Sequence, residues 1–200
     1  SGDGKVLVWS RATKGSANYD VVMRDPAAPG GRRVIFQGEG QVSPIDVSPD
    51  GKTVLLGRYF SIGESKRWLL DVATGKTTEL NPVKGKVSYD GGVFTPGGKS
   101  VLMLSDEGSD FMRLVEFDLA TGKKALVSGE RPWDVEDFKL SGDGRVLALY
   151  RIDGAVFATD DLCSHGDASL ADGEIEDGKI RRIEGVSVFL PYYIRSVWND

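Results

Sequence analysis

The chain has 200 residues, 40% of them apolar and 28% charged, and a net charge of −5. That length suits one domain, or one large piece of a repeat array, with room for a substantial core. The acidic balance, with no Lys/Arg cluster longer than a pair, argues against nucleic acid or an anionic membrane as the main partner, since both select a basic face.

In chain order, the first element is a turn, SGDGK at 1–5, with neither Met nor a signal-type apolar stretch ahead of it. Such an opening reads as a trimmed or excised piece. The turn returns as SPDGK at 48–52, TPGGK at 95–99 and SGDGR at 141–145, at intervals of 47, 47 and 46 residues. Ser or Thr, Pro or Gly, Asp and Gly are turn chemistry: Pro presets φ, Asp bonds its own backbone, and Gly takes φ > 0. An apolar burst follows each turn: VLVW from Val6, VLLG from Val54, VLML from Val101 and VLAL from Val146. Four residues are too few for a helix, and their β-branched start predicts a strand buried on both faces.

A polar loop with Gly15, Gly63 or Gly108 leads to a second strand, YDVVMRD, RWLLDVA or RLVEFDLA. The second strand ends in another marker, DVATGK at 71–76 and DLATGK at 118–123, each beginning 19 residues after the Lys of its turn. Asp25 opens DPAAPGG at nearly the same offset in the first unit. A third strand follows (RRVIFQG, TTEL, KALVSG), and a fourth approaches the next turn through PIDVS, GGVFT or DFKLS. The 26 glycines fit many tight turns and short strands. Four antiparallel strands every 47 residues or so predict an all-β fold, a β-propeller-like array of blades. Three full blades and a divergent fourth are expected, with a stacked solenoid or sandwich as the alternative. No window approaches 18 consecutive apolar residues, as a membrane-spanning helix would need.

The SPDGK…DVATGK cadence over 1–147 resembles the propeller repeats of TolB-type proteins and of the N-terminal domain of S9 (prolyl oligopeptidase and dipeptidyl peptidase) enzymes. RPWDVEDFKLSGDGRVLA at 131–148 is similar to a blade boundary in the S9 relatives. The resemblance implies a binding platform, or a propeller that gates a separate α/β-hydrolase domain carrying a Ser-Asp-His triad. No G-x-S-x-G elbow occurs here, and His165 is the chain's only histidine, so no catalytic residue is assigned. Asp134, Glu136 and Asp137 beside Trp133, and Asp106, Glu107 and Asp110, form acidic clusters. Each reads either as a cation- or amine-binding rim or as a solvated loop between blades.

From 148 the sequence changes accent. ALYRIDGAVFATDDLCSHGDASLADGEIEDGKI at 148–180 resembles Rieske-type ferredoxins, in which a hairpin precedes Cys-x-His and a second loop carries Cys-x-x-His. Two Cys and two His there hold a [2Fe–2S] cluster. Cys163 and His165 match the first pair, whereas Arg182 and Gly185 stand where the second should be. One chain thus offers half a ligand set, and only a cluster shared between two chains would complete it. No cofactor is expected, with [2Fe–2S] as the alternative. The same hairpin, turning at Asp153-Gly154, also serves as the start of a fourth blade.

Three segments are expected: blades over 1–147, a Rieske-like hairpin and loop over 148–180 that completes or replaces a fourth blade, and a tail over 181–200. The tail is rich in aromatic residues (Phe189, Tyr192, Tyr193, Trp198) and could close a blade or cover an edge. The leading functional expectation is a non-catalytic propeller module. Its partner is a peptide or protein ligand or a hydrolase domain outside this chain, with self-association through open blade faces. Electron transfer at a Rieske-like site and peptide hydrolysis in a longer protein are the alternatives.

Overall fold

A computed structural model describes residues 4–128 (apart from Thr13, Pro29 and Asn81), residues 134–140, and the backbone of five strands between 146 and 189. All regular structure among the described residues is β, and no described helix is long and apolar enough to cross a membrane. The chain divides into two compact units, 1–137 and 138–200.

The first unit holds three antiparallel sheets. Sheet one is β1 (Leu7–Ala12), β2 (Tyr19–Arg24) and β3 (Arg33–Gln37), in that order. Sheet two is β4 (Val42–Val47), β5 (Thr53–Ser61), β6 (Glu64–Asp71) and β7 (Thr77–Glu79). Sheet three repeats it with β8 (Tyr89–Phe94), β9 (Ser100–Ser105), β10 (Arg113–Asp118) and β11 (Lys124–Leu126). The strand before each SPDGK-type turn pairs across it with the strand after, Val47 opposite Val54 and Phe94 opposite Val101. The turn therefore lies inside a sheet and not between two blades. Its hydrogen bonds explain this: Gly51 N–H donates to Ser48 O at 2.8 Å and Ser48 N–H to Thr53 O at 2.9 Å, which closes a hairpin. Gly98 and Thr95 repeat the pattern, and Gly51 and Gly98 take φ of 71° and 64°.

The two sequence markers touch each other. Val72 N–H donates to Lys52 O at 2.9 Å, and Leu119 N–H to Lys99 O at 3.0 Å. This contact is a physical reason for their constant spacing. Within DVATGK, the Asp71 carboxylate accepts bonds from Thr74 N–H (2.7 Å) and Thr74 Oγ1 (2.8 Å), and Asp118 does the same with Thr121.

The bursts are buried on both faces, as their composition predicts. Val54 and Leu56 pack with Val21, Met23 and Ile35 of sheet one, while Leu55 points the other way into a cluster with Phe94, Val101 and Met103. Full burial of such side chains stabilises by roughly 1.5–3 kcal/mol each. The first burst differs, since Leu7 is 52% and Trp9 36% exposed whereas Val54, Leu55 and Leu56 are at most 1% exposed. Val8 faces sheet two, and Leu7 and Trp9 lie on the opposite face of β1. The pre-turn strands carry a bulge at matching places, between Pro44 and Asp46 in β4 and between Asp90 and Val93 in β8. Gly92 sits in the second bulge at φ 137°, and a Cβ there would lie 2.5 Å from Leu55 Cδ2. Close approach of the two sheets thus requires glycine.

In the second unit, β12 (Lys139–Leu140), β13 (Val146–Ile152) and β14 (Ala155–Asp160) form one sheet. β15 (Glu174–Glu176), β16 (Lys179–Arg181) and β17 (Ser187–Phe189) form another. Ile152 pairs with Ala155, the register expected of a hairpin turning at Asp153-Gly154. Leu140 pairs with Val146, so the strands on either side of SGDGR share one sheet. The division between units accordingly precedes β12, ahead of the change of accent at 148.

Candidate functional site

Repeated turns and variable connections occupy opposite ends of the strands. β4 and β6 run toward the 48–52 and 71–76 turns, and β5 starts from the first of these, so 38–41 and 61–63 share the far end. In sheet three the connections 80–88 and 106–112 take the same place. At the turn end the sequences are nearly identical. At the far end they are not: KGSAN, SIGE and DEGSDFM link β1 to β2, β5 to β6 and β9 to β10.

Individual side chains hold the variable end together. Buried Arg67 on β6 reaches across to sheet three, where Nη2 donates to Tyr89 O at 2.7 Å and Nε to Gly91 O at 3.3 Å. Ser65 Oγ donates to Tyr89 O at 2.8 Å and accepts from Tyr89 N–H at 2.7 Å. Burial lowers the pKa of the Arg67 guanidinium, opposed by the nearby Asp90 carboxylate. A guanidinium stays protonated through such a shift, so a full charge is held at the junction of two sheets.

The acidic clusters prove to be loop fasteners in part. Asp106 Oδ1 accepts from Ser88 N–H and Asp134 Oδ1 from Met112 N–H, both at 2.7 Å. Glu107 pairs with Lys124 Nζ at 2.7 Å and lies 3.5 Å from the Tyr89 hydroxyl. Asp110, Glu136 and Asp137 are exposed. Among the described residues, no group of three or more His, Cys, Asp or Glu side chains is arranged to hold a metal ion.

A cleft of about 270 Å³ lies between sheets one and two, lined from Glu39 at the variable end to Thr77 just past the 71–76 turn. Phe36, Val42, Leu56 and Trp68 line it with apolar surface, and Arg58 and Glu39 add one charge of each sign. The Arg58 guanidinium stacks on the Phe60 ring, 4.6 Å from its centroid. It also rests against Gly40, where a Cβ would come within 2.7 Å of Nη2. Past it the β5–β6 hairpin carries Tyr59, Phe60 and Ile62 into solvent, 69%, 43% and 91% exposed. Sequence reasoning singled out none of these residues. A signal was available in RYFSI, which prolongs β5 to nine residues against six in β9.

Cys163 and His165 lie outside the described residues, as do Arg182 and Gly185. The donor set can be weighed by its chemistry alone. A Rieske cluster takes two Cys and two His, and the chain contains one of each. A single chain does not fit the group.

The comparisons with known proteins divide along the chain. TolB from Acinetobacter baumannii superposes with a TM-score of 0.59 at 19% identity, over 92% of this chain and 40% of that one. A prolyl endopeptidase gives a TM-score of 0.57 at 17% identity, over 79% and 25%. The sheets are propeller blades. In sequence, dipeptidyl-peptidase 5 of Porphyromonas gingivalis is 26% identical over 162 residues, 74% of this chain and 22% of that protein. The Rieske [2Fe-2S] domain family matches residues 123–181. The naphthalene 1,2-dioxygenase ferredoxin component of Pseudomonas putida is 47% identical over 38 residues, 19% of this chain and 36% of that protein. The chain thus spans about a third of the ferredoxin's length and under a quarter of the peptidase's. Both resemblances read from the sequence stand, and they overlap: Lys124–Leu126, inside the Rieske match, form the outer strand of the third blade.

Proposed function

We propose that this chain is a non-catalytic propeller module that binds a peptide or protein ligand at the variable end of its blades. The observation that carries the reading is the contrast between ends. The turn end repeats one hydrogen-bonded design, whereas dissimilar loops, exposed aromatics and the charged rim of the cleft gather at the other. Scaffolds commonly keep one rigid part and place recognition on variable loops. The likeness to dipeptidyl-peptidase 5 supports an extension of this reading, in which the module gates a hydrolase domain in a longer protein.

Selection of binding peptides followed by amide chemical-shift mapping tests the proposal. Shifts are expected in 36–42, 58–64, 85–91 and 106–112. Shifts confined to 48–52, 71–76, 95–99 and 118–123 would overturn it. A fluorophosphonate probe is expected to label no serine, and stoichiometric labelling would contradict the non-catalytic reading.

The Rieske match favours one second reading, an electron-transfer protein that completes its cluster from two chains. A brown preparation containing two irons per two chains would establish it. A colourless, iron-free protein purified under anaerobic, iron-replete conditions would remove it.

A further inference from the structure

Arg58, like Arg24 and Arg32, has no carboxylate or carbonyl partner among the described residues, whereas three other arginines around the first two sheets are held by one. Arg11 pairs with Asp20 at 2.8 Å, Arg67 holds two carbonyls, and Arg33 reaches Val72 O at 3.5 Å. Arg58 has the Phe60 ring and, among the described residues, no carboxylate within ion-pair distance. It is half-buried at the edge of the cleft, above the apolar surface of Phe36, Val42, Leu56 and Trp68. A guanidinium presents a planar fork of donors that matches a carboxylate bidentately, and stacking on an aromatic ring pre-orients that fork. Partial shielding from water strengthens such a pair relative to a fully exposed one. The volume, about 270 Å³, falls just under the range of roughly 300–1,000 Å³ that holds drug-sized ligands. It suits one terminal group and not an extended chain.

We propose that this cleft binds a carboxylate attached to an apolar or aromatic group, the chemistry of a peptide's C-terminal residue, with the carboxylate on Arg58 and the apolar group between Phe36 and Trp68. The inference rests on the reading of the chain as a binding module and names the ligand class of one of its sites. Glu39 lies on the same rim, exposed to water. Its charge weakens the binding of an anion and selects against ligands with a second acidic group near the first.

The test compares N-acetyl-L-phenylalanine, a hexapeptide ending in Phe with a free carboxylate, and the same hexapeptide as its C-terminal amide. Affinities are read by calorimetry and sites by amide chemical shifts. The free acid is expected to bind at least about tenfold more tightly than the amide, with shifts at 36–42, 56–58 and 68. Arg58→Gln is expected to erase that difference without moving the melting temperature, and Arg58→Lys to restore part of it. Glu39→Gln is expected to tighten binding about twofold. N-acetyl-L-phenylalanine binding as tightly as the hexapeptide would point to a free small acid as the ligand. A hexapeptide bound at least about tenfold more tightly would point to a chain terminus. Equal binding of acid and amide, or acid binding unchanged by Arg58→Gln, would overturn the site. If the hexapeptides then shift only 85–91 or 106–112, the binding-module reading survives while this inference fails. Shifts at no loop, from these or any selected peptide, would overturn both.

Discussion

The two ends of each blade are built on different principles. At the turn end a short sequence closes on itself: Asp71 and Asp118 each hold the Thr three residues on, and the main chain of one marker bonds the Lys of the other. Every bond there is local or spans one hairpin, so the design can be copied every 47 residues unchanged. At the far end the connections are held by single long-range side chains such as Arg67, Asp106 and Asp134, each used once. A repeat array needs the first kind of end for folding. It is free to vary the second, which is why the proposed binding site is put there.

Removing the largest of these single ties should break the symmetry most. Arg67→Met is expected to lower stability by about 2–4 kcal/mol, because Tyr89 O and Gly91 O lose a charged donor. A fall in Tm of roughly 5–10 °C by circular dichroism would match. An unchanged Tm would mean that the variable end does not depend on that residue. Next comes Gly92→Val, which forces the bulge of β8 away from Leu55 at a position with φ of 137°. A loss of about 2–3 kcal/mol is expected from overpacking and backbone strain, measured by urea unfolding.

Smaller effects are expected at the copied end. The Asp71 and Asp118 carboxyls titrate below the usual 3.8, chiefly because the Thr74 and Thr121 hydroxyls donate to them, with the Thr backbone N–H adding to this. A carboxyl whose folded pKa is depressed stabilises the fold above its unfolded pKa and loses that contribution as pH falls through the folded value. Asp71→Ala and Asp118→Ala should therefore lower Tm by a few degrees at pH 7, with the gap to wild type closing below about pH 4. Equal gaps at pH 7 and pH 3 would show that the carboxylates are not what holds the turns. The smallest effect is expected at the tip of the variable end. Ile62→Ser should change stability by less than about 0.5 kcal/mol, since that side chain is 91% exposed.

Much of the fold was legible because its information is local and repeated. SPDGK and DVATGK announce turns by residue chemistry, and their 47-residue spacing announces blades. Which strands share a sheet was less plain. A strand before a turn and a strand after it look alike in sequence, and only the hydrogen bonds from Ser48 to Thr53 and from Thr95 to Ser100 assign both to one sheet. The candidate site was hardly legible. Phe36, Arg58 and Trp68 are far apart in sequence and carry no motif. The acidic clusters, readable either as a binding rim or as solvated loops, include loop fasteners such as Asp106 and Asp134.

The sequence by itself determined the blade-type fold, the periodic turns and the shortfall of cluster ligands, since one Cys and one His cannot make a set of four. Those facts follow from local conformational preference and from counting. The tertiary structure alone decided that Leu55 and Leu56 face different cores, that Gly92 admits its neighbour, and that Phe36, Arg58 and Trp68 from separate strands line one cleft. These are contacts between segments that no spacing rule connects, and they exist only once the sheets pack.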